Sequence, residues 1–202
     1  VNSSVDIMEM YQKIHLSLKE IIDTTNFYIA LYDKDSDSVY FPYVVDEHPP
    51  TGKMIIKDVS QSQLYTCQVI QTEKPMIVRE NKNPSIKNQS SQLCHVASVW
   101  MGVPFTMQNE VGGIIAVQSY SDPDLYGQSD LELLTQISNQ IGIAIERKRG
   151  EIRLQESENK YRKLVEENKN IFFSTDIRGY CNFISPEIEN VSGYEMEEII
   201  GM

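Results

Sequence analysis

Met8, Tyr11, Ile14, Leu18, Ile21 and Ile22 recur at helical spacing near the start of the chain. They predict an amphipathic helix that leaves Lys13, Lys19 and Glu20 for solvent or a partner. At Asn26 the period changes to two, with Phe27, Ile29 and Leu31 alternating against Tyr28, Ala30 and Tyr32. A polar run at 33–37 and a second apolar run at 39–45 complete a hairpin signal. Residues 53–57 predict a short strand. Ser60 with Gln63 three residues later reads as a capping box opening a helix to about Gln71, with Leu64, Cys67, Val69 and Ile70 on its apolar side. Thr72-Glu73-Lys74 then turns the chain into a short strand at 75–78, with Pro75 first, where a missing N–H is tolerated.

Residues 80–96 are rich in Asn, Ser, Lys and Gln and predict a long loop over one face, a place where binding function often resides. Strong strand patterns follow at 99–107 and 111–120, joined by Gln108-Asn109-Glu110, and suit the centre of an antiparallel sheet. Gly112-Gly113 fits close backbone packing in a strand better than phosphate binding. Ser129 and Glu132 form a second capping-box pattern, followed by a stripe of Leu131, Leu134, Ile137, Ile141, Ala144 and Ile145. No proline interrupts residues 125–185. A helix over 130–167 would run on the order of 55 Å, although Gly142 and Gly150 weaken its continuity. Beyond the stripe two heptad registers compete. One places Ile145, Lys148, Ile152, Gln155, Asn159 and Arg162 on the seam, and the other Ile143, Leu154, Tyr161 and Leu164.

The length of 202 residues allows one full domain and part of another, and 41% hydrophobic with 23% charged residues is ordinary for a globular chain. The second unit opens near Tyr161, too close to the end for an independent core. With Val1 at one end and this opening at the other, the expectation is a piece of a larger modular protein. A net charge of −11 argues against nucleic-acid binding, which needs concentrated Lys and Arg. No apolar run approaches a membrane span and no signal-peptide layout opens the chain, so the expected location is cytoplasmic. Cys67, Cys94 and Cys181 are odd in number and lack CxxC spacing, which suits reduced structural thiols rather than disulfides or zinc.

The stretch VWMGVPFTMQNEVGGIIAVQSYSDPDLYGQSDLELLTQISNQIGIAIERKR resembles the C-terminal half of a GAF domain, with its Gly-Val-Pro strand, short turn, Gly-rich strand and closing helix. TEKPMIV at 72–78 is similar to the family's short strand, and the resemblance extends over roughly residues 5–150. NIFFSTDIRGYCNFISPEIENVSGYEMEEIIGM resembles the start of a PAS domain: strand, Asp-x-x-Gly turn, strand, Ser-Pro, Gly-Tyr and Glu-Glu-Ile-Ile-Gly. The expected organisation is a GAF-like sensory domain over 1–150, a coiled-coil-like connecting helix over 145–167, and the N-terminal part of a PAS domain over 168–202. The resemblance implies an α+β fold, an antiparallel sheet with the terminal helices on one face and a ligand cavity on the other. It implies a bacterial or archaeal signalling protein, most often a sensor histidine kinase with its output domain in cis, less often a diguanylate cyclase or transcriptional regulator. The helices that close the domain are also expected to form a homodimer.

If Phe27, Ile29 and Leu31 face the terminal helices, Tyr28 and Tyr32 face the other side, where Tyr40, Tyr65 and Trp100 are expected to join them. Aromatics with polar tips suit a small-molecule cavity; the plain alternative is that these rings fill the core. Cys94-His95 resembles the bilin attachment dipeptide of some GAF domains, but it lies too close to the 99–107 strand and no Asp-Ile-Pro motif accompanies it. A loop-borne Cys94 thiol sensing oxidants is a further alternative. His15, His48 and His95 show no metal-ligand spacing, which argues against haem or metal. His15 in KIHLSLKE lacks the surroundings of a kinase phosphoacceptor and is expected at the edge of the helix layer. The signature of cyclic-nucleotide GAF domains is missing, as are Walker A, GxSxG, HExxH and GGDEF-like segments, so no catalytic residue is expected here. The leading reading is a non-catalytic sensor and relay. The alternatives are a ligand-free dimerisation scaffold and a photoreceptor.

Overall fold

Three neighbouring strands carry apolar side chains on both of their faces, and this organises the first unit. The computed structural model describes residues 2–49, 52, 54–79, 97–166 and 170–201. The chain divides into Val1–Arg149 and Gly150–Met202.

In the first unit, α1 (Asn2–Lys19) precedes β1 (Asn26–Asp33), β2 (Ser38–Val45) and β3 (Ile55–Lys57). A 3-10 turn at Val59–Gln61 leads into α2 (Tyr65–Thr72), β4 (Met76–Arg79), β5 (Val99–Met107), β6 (Glu110–Ser119) and the 39-residue α3 (Gln128–Glu166). The six strands form one antiparallel sheet in the order β3-β2-β1-β6-β5-β4. Phe27, Ile29, Leu31, Val99, Met101, Val103, Phe105, Ile115 and Val117 face a core completed by Tyr11 and Leu18 of α1 and Leu131, Leu134, Ile141 and Ile145 of α3. Tyr28, Ala30, Trp100, Ile114 and Ala116 face a second core under Val59 and the Cys67, Val69 and Ile70 side of α2. The α+β architecture with both terminal helices on one face is therefore the one expected.

Several local expectations change. α1 stops at Lys19, so Ile21 leaves the helical phase and is exposed, as Met8 is. Ser60 does not cap α2: it sits in the 3-10 turn and gives its hydroxyl hydrogen to Asp37 Oδ2 at 2.7 Å, while Leu64 occupies the N-cap with no side-chain bond. At α3 the cap is not the Ser129 and Glu132 pair. The Gly127 N–H donates to Asp130 Oδ2 at 2.7 Å, a cap set two residues earlier that also places a carboxylate at the positive end of the helix. Ala144 is exposed rather than part of the buried stripe. Gln108 and Asn109 both take positive φ, 53° and 63°, the geometry of a two-residue hairpin turn matched to strand twist. Gly113 packs against the Ala30 carbonyl oxygen and the Phe105 ring, which leaves no room for a Cβ.

The second unit contains the last part of α3, a hairpin of β7 (Phe173–Thr175) and β8 (Cys181–Ile184), and the short helices α4 (Glu187–Ser192) and α5 (Met196–Ile199). Asp176 organises the hairpin turn: its Oδ1 accepts the N–H groups of Arg178 and Tyr180, and its carbonyl accepts that of Gly179. Cys67 and Cys181 are free thiols and both are buried; Cys94 lies outside the described residues.

The two helical glycines that weakened the expected helix have different surroundings. A Cβ on Gly142 would stand 2.5 Å from the Thr106 carbonyl oxygen, so this glycine lets α3 press onto the end of β5. Gly150 has open space around it. Gly142→Ala should destabilise the first unit by about 1–3 kcal/mol through overpacking, read by urea denaturation with Trp100, the chain's single tryptophan, as reporter. Gly150→Ala should raise helicity in circular dichroism, as an exposed helical position gains about 0.5–1 kcal/mol.

Candidate functional site

Cross-strand register decides which face each aromatic takes. Tyr28 pairs with Val44 and Ala116, and Trp100 pairs with Gln118 and Val78. Both side chains thus stand on the face turned away from the terminal helices. The Trp100 indole lies over Gly102, where a side chain would collide with the ring. Its Nε1–H donates to the Tyr28 hydroxyl at 2.9 Å, and that hydroxyl bonds Thr66 Oγ1 at 2.8 Å. The Tyr65 ring, at the start of α2, stands 5.6 Å from Trp100, and Phe41 stands 5.4 Å from Tyr28.

Tyr32 lies on the same face at the hairpin end, where its hydroxyl donates to Asp37 Oδ1 at 3.0 Å. Burial, then the Asp37 carboxylate, pushes the Tyr32 phenol above its usual pKa. Asp37 in turn takes the Ser60 hydroxyl and backbone N–H, so the β1–β2 turn is tied to the 3-10 turn ahead of α2. The Ser60 hydroxyl first, then the Ser60 amide and the Tyr32 hydroxyl, holds the Asp37 carboxyl below the ordinary range.

Tyr40 is not in this group. It pairs with Leu31, shares the terminal-helix face, and its hydroxyl accepts from Arg149 Nη2 at 2.9 Å. The hairpin register places Val39, not Tyr40, beside Tyr32, and a one-residue offset reverses every side chain. Buried Tyr11 belongs to the same neighbourhood. Its pKa is pushed up to about 12 by burial and by Tyr40, with Arg149 acting in the opposite direction. Cys94 lies outside the described residues.

Thr66, Phe41 and a polar row at the end of the sheet join the predicted residues. Asp46 accepts from Gln118 Nε2 at 2.7 Å, from the Tyr120 hydroxyl at 2.9 and 3.0 Å, and from the His48 N–H at 2.7 Å. Buried Asn26 exchanges bonds with Glu47. The period of two in β6 continues from Ile114 and Ala116 to Gln118 and Tyr120, a signal legible in the sequence. The partners Asp46 and Glu47 follow only from register. His15 stacks on Phe27 with ring centroids 4.7 Å apart. Its Nε2 contacts the Thr24 carbonyl at 3.0 Å, so Nε2 carries the hydrogen, and Nδ1 meets the Tyr43 hydroxyl at 3.0 Å. Among the described residues, no three His, Cys, Asp or Glu side chains group so as to hold a metal ion.

A sequence profile described as GAF domain matches residues 4–146. The chain belongs to the GAF family. These are sensory domains found in histidine kinases and other signalling proteins. Among solved structures, the chain is similar to the GAF domain of a two-component sensor histidine kinase from Bacillus halodurans, at 12% identity and TM-score 0.56, over 69% of this chain and 92% of that one. It is similar to a GAF domain/HD domain protein from Geobacter sulfurreducens, at 9% identity and TM-score 0.57, over 72% and 95%. It is also similar to a type II free methionine-R-sulfoxide reductase from Thermoplasma acidophilum, at 13% identity and TM-score 0.55, over 73% and 96%. At such identities the likeness concerns the fold, which serves signalling proteins and an enzyme alike. No curated protein matches the chain.

Tyr28→Phe removes the acceptor of a buried indole N–H and a partner of Thr66. It should cost about 1–3 kcal/mol in urea denaturation and shift the Trp100 emission. The lowered Asp37 pKa stabilises the clasp above the unfolded carboxylate value, roughly pH 4, and this contribution is lost as pH falls through the folded value. Exchange of the Ser60 amide should therefore accelerate in that acid window, and Asp37→Ala should remove the pH-dependent step.

Proposed function

We propose that this chain is a non-catalytic sensory and relay segment of a cytoplasmic signal-transduction protein, with a histidine kinase as output in cis. Its GAF domain senses a small molecule or a partner on the face of Tyr28, Tyr65 and Trp100, and α3 carries the state onward to residues 168–202, which resemble the opening part of a PAS domain. One observation supports this reading above the rest. The helix that closes the core through Leu131, Leu134, Ile141 and Ile145 is the same unbroken helix that reaches Glu166. No described helix is long and apolar enough to cross a membrane.

The relay acts as a homodimer. Of the two heptad registers, the one through Ile145 begins on a residue that is 0% exposed in its own core. The other presents Ile143, Leu154, Tyr161 and Leu164 at 64%, 63%, 67% and 61% exposure, an apolar stripe available to a second copy. In a parallel pair Arg153 on one helix stands across from Glu158 on the other. Glu146 across from Glu151 opposes the parallel arrangement at one level only.

One observation favours a ligand-free scaffold instead: the Trp100, Tyr28 and Thr66 polar tips bond to each other. Native mass spectrometry separates the two readings. A non-covalent mass retained under native conditions and lost on denaturation supports the sensor, and a clean dimer mass favours the scaffold. Leu154→Asp with Tyr161→Asp should weaken dimerisation at least tenfold in sedimentation equilibrium, given the about 1.5–3 kcal/mol of each buried apolar side chain. Unchanged association would remove this seam.

A further inference from the structure

The last two turns of α3 in the first unit are attached at consecutive points. Gly142 sits on the Thr106 carbonyl, and Glu146 Oε2 accepts the Gln108 N–H at 3.1 Å. Lys148 Nζ pairs with Asp6 Oδ2 of α1 at 2.7 Å, and Arg149 donates to the Tyr40 hydroxyl at 2.9 Å. The unit boundary follows at once, at Gly150, where a Cβ would meet nothing within 4 Å.

Tyr40 has a neighbour on the opposite face. Phe41 packs in the second core, its ring 5.4 Å from Tyr28. Directly after Tyr40 the β1–β2 register shifts: Leu31 pairs with Tyr40 and Ile29 with Tyr43, so β2 carries one extra residue at Phe41-Pro42. Pro42 has no N–H to give the ladder, and among the described residues the outer side of β2 is paired by three-residue β3 at Ser38, Val39 and Tyr40. The ladder is interrupted at this point of β2, and the two adjacent rings of Tyr40 and Phe41 reach opposite cores.

We propose that Tyr40 and Phe41 form a two-sided lever. A change in the packing of Phe41 against Tyr28 rocks the bulge, moves the Tyr40 hydroxyl relative to Arg149, and so tightens or releases the turn of α3 that precedes Gly150. The lever deepens the sensing reading of the Tyr28 face, and Tyr40 acts in it as a positioning residue. The Lys148 and Asp6 pair holds the same turn to α1, so releasing Arg149 loosens the turn without freeing the helix.

The test is a double-mutant cycle of Tyr40→Phe and Phe41→Leu in the intact chain, read by amide hydrogen exchange. Peptides over 146–153 report the turn, and peptides from β6 report the fold. Tyr40→Phe keeps the ring and removes the acceptor, and it should speed exchange over 146–153 on the order of tenfold, with β6 unchanged, as expected for a lost bond to a charged donor. Phe41→Leu should speed the same peptides by about threefold. The lever requires that the double variant exchange no faster than Tyr40→Phe alone. Independent, multiplying effects, or no effect of Tyr40→Phe, would overturn it. If Phe41→Leu lowers protection in β6, Phe41→Met replaces it in the cycle. The cycle needs no ligand. Independent effects beside a retained native mass defeat the lever alone, while a coupled cycle beside a clean dimer mass keeps the lever and defeats the ligand reading.

Discussion

Everything in the first unit depends on a sheet that is apolar on both sides. β1, β5 and β6 alternate large apolar residues toward each face, so neither face can meet water and two separate layers must cover it. The terminal helices cover one and α2 with its leading 3-10 turn covers the other. Burying Leu131, Leu134, Ile141 and Ile145 is worth about 1.5–3 kcal/mol each. Together that exceeds the coupling of about 1–3 kcal/mol by which a ligand at one site ordinarily influences another. A signal of that size cannot lift α3 from the sheet. It can act on polar attachments near the end of the packed region, where a hydrogen bond or a half-exposed ion pair is of comparable magnitude.

The opposite face has a different balance. Burying the indole N–H of Trp100 and the hydroxyls of Tyr28 and Thr66 is costly unless each finds a partner, and the chain meets that cost by bonding them to one another. The rings of Tyr65 and Phe41 then border this polar knot with apolar surface. A molecule bound there would meet π faces before polar groups, with Asp46, Gln118 and Tyr120 as the polar row beyond Trp100. The row is itself closed by three donors on Asp46, the Gln118 amide, the Tyr120 hydroxyl and the His48 N–H, so recognition through it requires exchanging existing bonds rather than filling vacant ones.

What the sequence revealed follows from which forces are local. Period-two alternation in β1 and β6 and the period of α3 are written in successive residues, and the two-layer fold was legible from them. The face of Tyr40 was not, because it depends on how many residues of the 33–37 turn oppose each other, a property of two strands together. Ser60 and Ser129 each carry the residue pattern of a cap, but Ser60 is engaged by Asp37, far away in sequence, and Gly127 starts α3 two residues before the pattern does. Among the predicted site residues, alternation alone places Tyr28 and Trp100 on one face, with Tyr32 at the rim, and Tyr65 joins them from the start of α2, which covers that face. Phe41 and Asp46 needed the register, and Thr66 the packing of α2 on the sheet.

The same logic fixes the outward face of α3. Ile145 is locked in the core, which sets the rotational phase of α3 within the first unit. At about 100° per residue, Ile143 points roughly 160° away from it, Leu154 falls within about 20° of Ile143, and Tyr161 returns to the same direction. Ile143 is therefore turned away from the core by helix geometry alone, while Leu154 and Tyr161, seven residues apart, share one face of the later part of the helix. Choosing between the two heptad registers does not require a stronger seam. The GAF core has already claimed the Ile145 side of the helix, so a register through Ile145 would have to give up surface on which the fold of the first unit depends.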